Sequence, residues 1–316
     1  MKRLGQCRAN CDTAVALGTF DGLHLGHQSV LKKLKQQAAA QGLRTLVFTF
    51  ETLPSSYFGG EQGMLFLPEE KEEAFEKLGV DLLYMPRFDG AIAGLERGAF
   101  AKLLFEQLRA KVVVVGFNFR FGKNAEGTPQ YLKKAAEQYG AAVYEQEPYL
   151  LGGEPVSSTR IRAALRQGEI AQAQELLGRP YEICGIVAHG KQLGRKLGFP
   201  TLNFYPPECK LMPKHGVYAA EAEVDGKRYA SVTNIGIRPT VKDGDALSVE
   251  SNLIGFSENA YGKKARLRLL EFLREEQKFD GLDALTSQIA QDKRRAEECV
   301  KNAWQRGLQA ASDVLE

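Results

Sequence analysis

The sequence predicts an open, mostly parallel α/β sheet followed by a compact six-stranded β-barrel with a C-terminal helix. Three observations carry that prediction. Between residues 13 and 177, β-rich runs alternate with segments of helical period, the pattern of a doubly wound sheet. After Gly178-Arg179-Pro180 the rhythm changes to short β-like runs joined by Gly and Pro turns, as in a small barrel. From Leu282 onward apolar residues return at helical spacing: Leu282, Leu285 and Ile289 share one face, and charged residues of 293–298 cover the outer turns. The boundary is placed near residue 180, giving domains over 1–180 and 181–316, and a chain of 316 residues is long enough for two cores.

Thr13–Leu17 reads as the first strand. In residues 28–41, Val30, Leu31, Leu34 and Ala38 recur at helical spacing, and Gly42 is placed to cap the end. Residues 44–50 (R-T-L-V-F-T-F) read as the next strand and complete a β-α-β unit. Helices are predicted over 69–78 and 95–108. Residues 111–115 form a near-continuous apolar strand of the kind buried in parallel sheets. Thr128 and Pro129 make an N-cap and first-turn pair for a helix running to residue 138. Ser157 or Ser158 caps a short helix ending near Gly168, and another follows over 169–177. In the second half, strands are predicted over 182–188, 201–205, 217–224, 228–234, 247–256 and 266–272, with Asp225-Gly226 as a hairpin turn.

Hydrophobic content of 44% and charged content of 26% are those of an ordinary soluble globular chain. The net charge of +3 is spread evenly, without the basic face of a nucleic-acid binder, so small anionic ligands fit better than polymers. The five cysteines are odd in number and contain no C-x-x-C pair, which argues against a disulfide framework and a Cys-based zinc site. No apolar stretch reaches the length of a membrane span, and Lys2 and Arg3 are not followed by a secretory apolar core. A cytoplasmic protein with no nucleic-acid or membrane partner is expected. Homo-oligomerisation stays open.

Five segments carry chemistry. Residues 18–27 read G-T-F-D-G-L-H-L-G-H. Strand, Gly-rich turn and helix aim backbone N–H groups at a phosphate, and His24 and His27 can donate to phosphate oxygens as a nucleotide bond breaks. A metal pair is the weaker alternative, because no third ligand is near in sequence. Residues 115–122, V-G-F-N-F-R-F-G, follow the apolar strand and serve either as packing or as an aromatic wall for a planar ligand. The adjoining G-K-N-A-E-G-T is no P-loop, since its Gly127-Thr128 lacks the intervening lysine. Residues 157–162, S-S-T-R-I-R, offer hydroxyls and arginines at a helix start, either an N-cap with surface charges or an anion site. In 189–203, three glycines and three cations form a basic loop suited to phosphates. It runs into Thr201 and Asn203, two apart on a strand, whose oxygens can hold magnesium with ATP. Glu250 lies in a strand as either a solvent-facing carboxylate or a general base.

Together and in this order these segments resemble the bacterial bifunctional riboflavin kinase/FMN adenylyltransferase family. The adenylyltransferase half is matched by G-T-F-D-G-L-H-L-G-H, V-G-F-N-F-R-F-G and S-S-T-R-I-R. The kinase half is matched by G-R-K-L-G-F-P-T-L-N, G-V-Y-A, N-I-G-I-R-P-T (residues 234–240), V-E and Y-G-K (261–263). The resemblance implies a Rossmann-like α/β nucleotidyltransferase domain that makes FAD and pyrophosphate from FMN and ATP, then a riboflavin kinase barrel that makes the FMN. It implies catalytic roles for His24, His27 and Glu250. ATP and phosphate contacts would come from Gly18, Phe20, Asp21, Gly26, Ser158, Thr159 and Arg160, and in the second half from Gly190, Lys191, Gly194, Arg195 and Gly198. Asn118, Arg120 and Arg238 would meet flavin, and Thr201 and Asn203 would meet Mg²⁺. Riboflavin, FMN and ATP are the implied small-molecule partners.

Three positions depart from the family pattern. Phe50-Glu51-Thr52-Leu53-Pro54 stands where Phe-x-Pro-His-Pro is usual, Leu202 replaces a small Ala, and Ser251-Asn252 replaces an apolar residue and a His. Two rival functions therefore remain: one active half with the other kept as a flavin- or nucleotide-binding module, or a different H-x-G-H nucleotidyltransferase. The second leaves the barrel with its Thr/Asn pair unexplained.

Overall fold

The computed structural model describes residues 1–61, 63–188, 201–240 and 244–312, without the side chains of 238–240, 244–246 and 307–312. Packing divides the chain into two units, Met1–Ser158 and Thr159–Glu316.

The first unit is built on six strands: β1 (Lys2–Arg3), β2 (Thr13–Leu17), β3 (Arg44–Phe48), β4 (Leu82–Tyr84), β5 (Ala110–Gly116) and β6 (Ala142–Gln146). They lie in the order β1-β4-β3-β2-β5-β6, and every pairing is parallel. The doubly wound sheet is therefore present. β1, β4 and β6 complete it on strands whose burial pattern is short or incomplete, which is why their sequence signal is weak. All five residues of β2 are buried, as parallel strands covered on both faces require. From β2 the chain moves outward through β3 and β4, then returns to place β5 on the other side of β2. That reversal between β2 and β5 is the topological switch point where such sheets bind ligands.

The helices of this unit follow the sequence closely. α1 (Leu25–Gln41) buries Val30, Leu31, Leu34 and Ala38 and ends at Gly42, whose φ of 64° admits the left-handed cap. After α2 (Pro54–Tyr57) comes α3 (Pro68–Lys77). The helix predicted over 95–108 is broken: after α4 (Gly90–Ala93), α5 (Arg97–Lys102) passes into a π-helical turn, Leu103–Gln107. The turn puts both Leu104 and Leu108, fully buried, into the core beside Phe100 and Phe105. α6 (Pro129–Glu137) starts as predicted, with the Thr128 hydroxyl accepting the Tyr131 N–H at 3.2 Å. A two-stranded ribbon, β7 (Leu150–Leu151) and β8 (Glu154–Pro155), leads out of the unit.

α7 (Ser158–Gln167) begins on the last residue of the first unit, and in the second unit its remainder and α8 (Ile170–Leu177) precede β9 (Tyr181–Ile186), β10 (Thr201–Phe204), β11 (Gly216–Val224), β12 (Lys227–Thr240), β13 (Gly244–Leu253) and β14 (Lys264–Arg274). The antiparallel order is β10-β13-β12-β11-β14-β9, and Ala188 just beyond β9 bridges Asn203 of β10, so the two edges meet and the sheet curls closed. Asp225 (φ 50°) and Gly226 (φ 75°) form the predicted two-residue hairpin between β11 and β12. By contact, the division falls at Ser158/Thr159 rather than at the change of rhythm near residue 180. The cause is that α8 buries Ile170, Ala173, Leu176 and Leu177 and packs on β9 and β14.

The C-terminal helix α9 (Leu282–Ser312) covers β11, β12 and β14. Its buried stripe differs from expectation. Leu282 is 64% exposed, whereas Asp292, Ala296 and Val300 are buried. The polar member of that stripe is anchored, because the Asp292 carboxylate accepts Arg274 Nη2 at 2.8 Å and Nε at 3.1 Å.

Candidate active sites

In the first unit the carboxyl ends of β2, β3 and β5 carry the loops that matter. The β2 loop turns sharply, with Phe20, Gly22 and Leu23 at φ 47°, 77° and 42°. Positive φ at two non-glycine residues is strained, and such strain persists where surrounding contacts overdetermine it. Here the Asp21 carboxylate supplies the contacts. It is 1% exposed and accepts the backbone N–H of Leu65 (3.1 Å) and Phe66 (3.0 Å), while its own carbonyl accepts the Ser158 hydroxyl at 2.9 Å. Asp21 thus ties down the loop, and its carbonyl holds the hydroxyl of Ser158.

His24 is the N-cap of α1. Its Nδ1 accepts the His27 N–H at 3.3 Å, and the two rings stack with centroids 3.6 Å apart and 18° between planes. An accepting Nδ1 places the ring proton of a neutral His24 on Nε2. A Cβ at residue 26 would stand 3.2 Å from the His24 ring, so Gly26 lets that ring lie against the helix start. Two imidazoles and the positive end of a 17-residue helix converge at the switch point. Phe20 is buried and meets the His27 ring edge-on at 5.2 Å. Its place is behind the histidine, in the core.

On the other side of the switch point, residues 117–121 divide by role. Phe121 is 7% exposed and packs on Phe100 at 4.7 Å between ring centres, so this part of the segment is core packing. Phe117, Asn118 and Arg120 are exposed beyond the end of β5.

In the second unit, register assembles a polar stripe. Asn203 of β10 pairs with Glu250 of β13, which pairs in turn with Asn234 of β12; one step along, Thr201 pairs with Asn252. Residues opposite one another share a face, so Thr201, Asn203, Glu250, Asn252 and Asn234 stand on one side of the sheet. Leu202, Phe204, Val249 and Ile235 stand buried on the other. The Asn203 Nδ2 donates to the Thr201 carbonyl at 3.3 Å and the Asn234 Nδ2 to Glu276 at 2.7 Å. Among the described residues, Asn203 Oδ1 and Asn234 Oδ1 are buried acceptors with no donor. Oxygens left in that state fit a ligand that supplies charge or a donor, such as a hard cation. Glu276 also lines a cavity of about 530 Å³ with Arg166, Lys214 and His215.

Asn234 and Glu276 were not singled out in the sequence. The motif N-I-G-I-R-P-T marks Asn234, but only strand register shows that it faces Glu250. Gly190, Lys191, Gly194, Arg195 and Gly198 lie outside the described residues, as does the Arg238 side chain.

The comparisons with known proteins divide the chain in the same way. A family model described as FAD synthetase matches residues 6–160, and one described as riboflavin kinase matches residues 177–300. A bifunctional riboflavin kinase/FMN adenylyltransferase from Listeria monocytogenes is 39% identical over 282 residues, 88% of this chain and 89% of that protein. The chain belongs to the bifunctional riboflavin kinase/FMN adenylyltransferase family. A Bacillus subtilis protein of the same name is 38% identical, with 90% of this chain and 91% of that one covered. A crystal structure described as a macrolide-efflux protein from Streptococcus pneumoniae is 29% identical, with a TM-score of 0.85 over 94% of this chain and 98% of that one. Among the described residues of this family member, no helix is long and apolar enough to cross a membrane. Nor do any three His, Cys, Asp or Glu side chains among them group together.

Proposed function

We propose that this chain phosphorylates riboflavin to FMN with ATP in its barrel and adenylylates FMN to FAD with ATP in its α/β unit, releasing pyrophosphate. The functional domains proposed are residues 1–180 for adenylyl transfer and 181–316 for the kinase, working in the cytoplasm on small molecules. The observation that carries the reading is the His24/His27 stack, which caps α1 at the switch point of a doubly wound sheet.

In the first half, a phosphate oxygen of FMN attacks the α-phosphorus of ATP, and the bond to the bridging oxygen of pyrophosphate breaks. The His24 Nε2–H, the His27 ring and the N-terminal turn of α1 donate to phosphate oxygens as that charge develops. Gly18 and Gly26 allow the triphosphate close approach, and Phe20 supports His27. Ser158, Thr159 and Arg160 hold the outer phosphates. Exposed Asn118 and Arg120 face the flavin nucleotide. Asp21 contributes through the loop that it fixes.

In the second half, Glu250 takes the proton of the ribityl 5′-hydroxyl as that oxygen attacks the γ-phosphorus and ADP leaves. Thr201 and Asn203 are the residues that would hold Mg²⁺, and the buried, donorless Asn203 Oδ1 fits that assignment. Bound there, the ion would supply neutralisation of the triphosphate charge. The 190–198 loop and Arg238 are proposed contacts to phosphate and flavin.

Reciprocal substitution tests the assignment. His27→Ala is expected to lower FAD formation from FMN by at least about 100-fold while riboflavin phosphorylation continues, and Glu250→Gln to do the opposite. Loss of both activities from either change would count against two separate sites.

A further inference from the structure

Lys71 has no role in the chemistry above, yet it is one of the most deeply buried side chains in the protein, at 1% exposure. Its ammonium donates to two backbone carbonyls from different loops, Thr19 at 3.1 Å and Phe50 at 2.8 Å. Thr19 opens the His24/His27 loop after β2, and its carbonyl also accepts the Thr49 hydroxyl at 2.8 Å. Phe50 lies in the loop after β3, where Thr52 and Leu53 stand in place of the Pro and His of the family pattern. One turn further along α3, Phe75 is fully buried and packs edge-on against Phe20 at 5.7 Å. Phe20 in turn meets His27 at 5.2 Å. Helix α3 therefore grips the nucleotide loop twice on one face, through the Thr19 carbonyl and through the ring that backs His27.

We infer that Lys71 is a positioning residue for adenylyl transfer: its ammonium clamps the β2 and β3 loops together from behind and so sets the place of His27 against the nucleotide. A purely apolar helix face would pack as well but would leave the half-buried Phe50 carbonyl without the Lys71 donor and the Thr19 carbonyl with the Thr49 hydroxyl in place of two donors. The role rests on the adenylyltransferase reading above.

The charged groups around Lys71 fix its pH behaviour. From the β2 loop it faces the buried Asp21 carboxylate, which favours the ammonium. On its own helix, Glu70 is turned to the Leu67 N–H and Glu72 to Arg3; on the β3 loop, Glu51 is also paired with Arg3. Burial outweighs the Asp21 attraction and lowers Lys71 to about 8. Deprotonation exchanges two charge-assisted hydrogen bonds for two weaker neutral ones and so loosens the clamp, and FAD formation falls as pH rises through that value while FMN formation does not.

The test uses the full chain with both activities measured. Lys71→Met is expected to leave riboflavin phosphorylation unchanged and to lower kcat for FAD formation by about 100-fold, with KM for ATP changed by less than about 3-fold. A folded Lys71→Met protein that keeps more than about a third of kcat, or loses only in KM, overturns the proposal. If the first unit of that variant does not fold, the natural chain decides. An alkaline fall near pH 8 confined to FAD formation supports the clamp, and a kcat flat to about pH 9.5 overturns it. If the natural chain makes no FAD at all, the functional reading fails, and the imidazole proton signals of His24 and His27 still report on the clamp. Their shift through the Lys71 titration supports it, and their constancy overturns it.

Discussion

At Gly127 an added methyl would fall 2.6 Å from the Phe121 ring, which itself packs against Phe100 beneath the loop that carries Asn118. Gly127→Ala is therefore expected to cost about 1–3 kcal/mol in urea unfolding of the first unit and to raise KM for FMN, with riboflavin phosphorylation untouched. An unchanged urea midpoint would show that Phe121 yields freely. Crowding of this kind was not legible in the sequence, where Gly127 stands as part of a false P-loop and the aromatics of 117–121 read alike. Burial separates them: Phe121 is core, and Phe117 is 41% exposed. Asp21 shows the same limit. Its place in the H-x-G-H segment reads as ligand contact, but its carboxylate is taken by the N–H groups of Leu65 and Phe66, which are 44 and 45 residues away. Lys71 left a faint trace, a lysine one turn from Phe75 on a buried helix face.

Elements with local signals were read well. Thr128-Pro129 starts α6, Gly42 ends α1 and Asp225-Gly226 turns β11 into β12, because each rests on the backbone preference of one or two residues. Elements held by distant contacts were not. The π turn at Leu103–Gln107 exists because Leu104 and Leu108 both reach the core, and α9 runs its buried stripe through Asp292 because Arg274 of β14 meets it there. The Arg274 side chain is only 21% exposed, so Asp292→Ala leaves a half-buried guanidinium without its carboxylate. That change is expected to destabilise the barrel by about 2 kcal/mol. It is checked by thermal unfolding, with Arg274→Met and the double variant closing a cycle. A cycle without coupling would show that α9 is held by its apolar contacts alone.

For the whole molecule, the order of the two halves and their fold classes were legible because hydrophobic period and turn chemistry change abruptly near residue 180. The polar stripe of the barrel was only half legible. Thr201 and Asn203 declare themselves as alternate residues on one strand, whereas placing Asn234 across from Glu250 needs the register of three strands. The central claim is that one chain makes FMN and then converts it to FAD. Incubation of the full chain with riboflavin, ATP and Mg²⁺, followed by chromatography of the flavins over time, tests it directly. The account predicts that FMN rises first and that FAD follows with release of pyrophosphate. FMN accumulating without FAD, or neither product appearing, would contradict it.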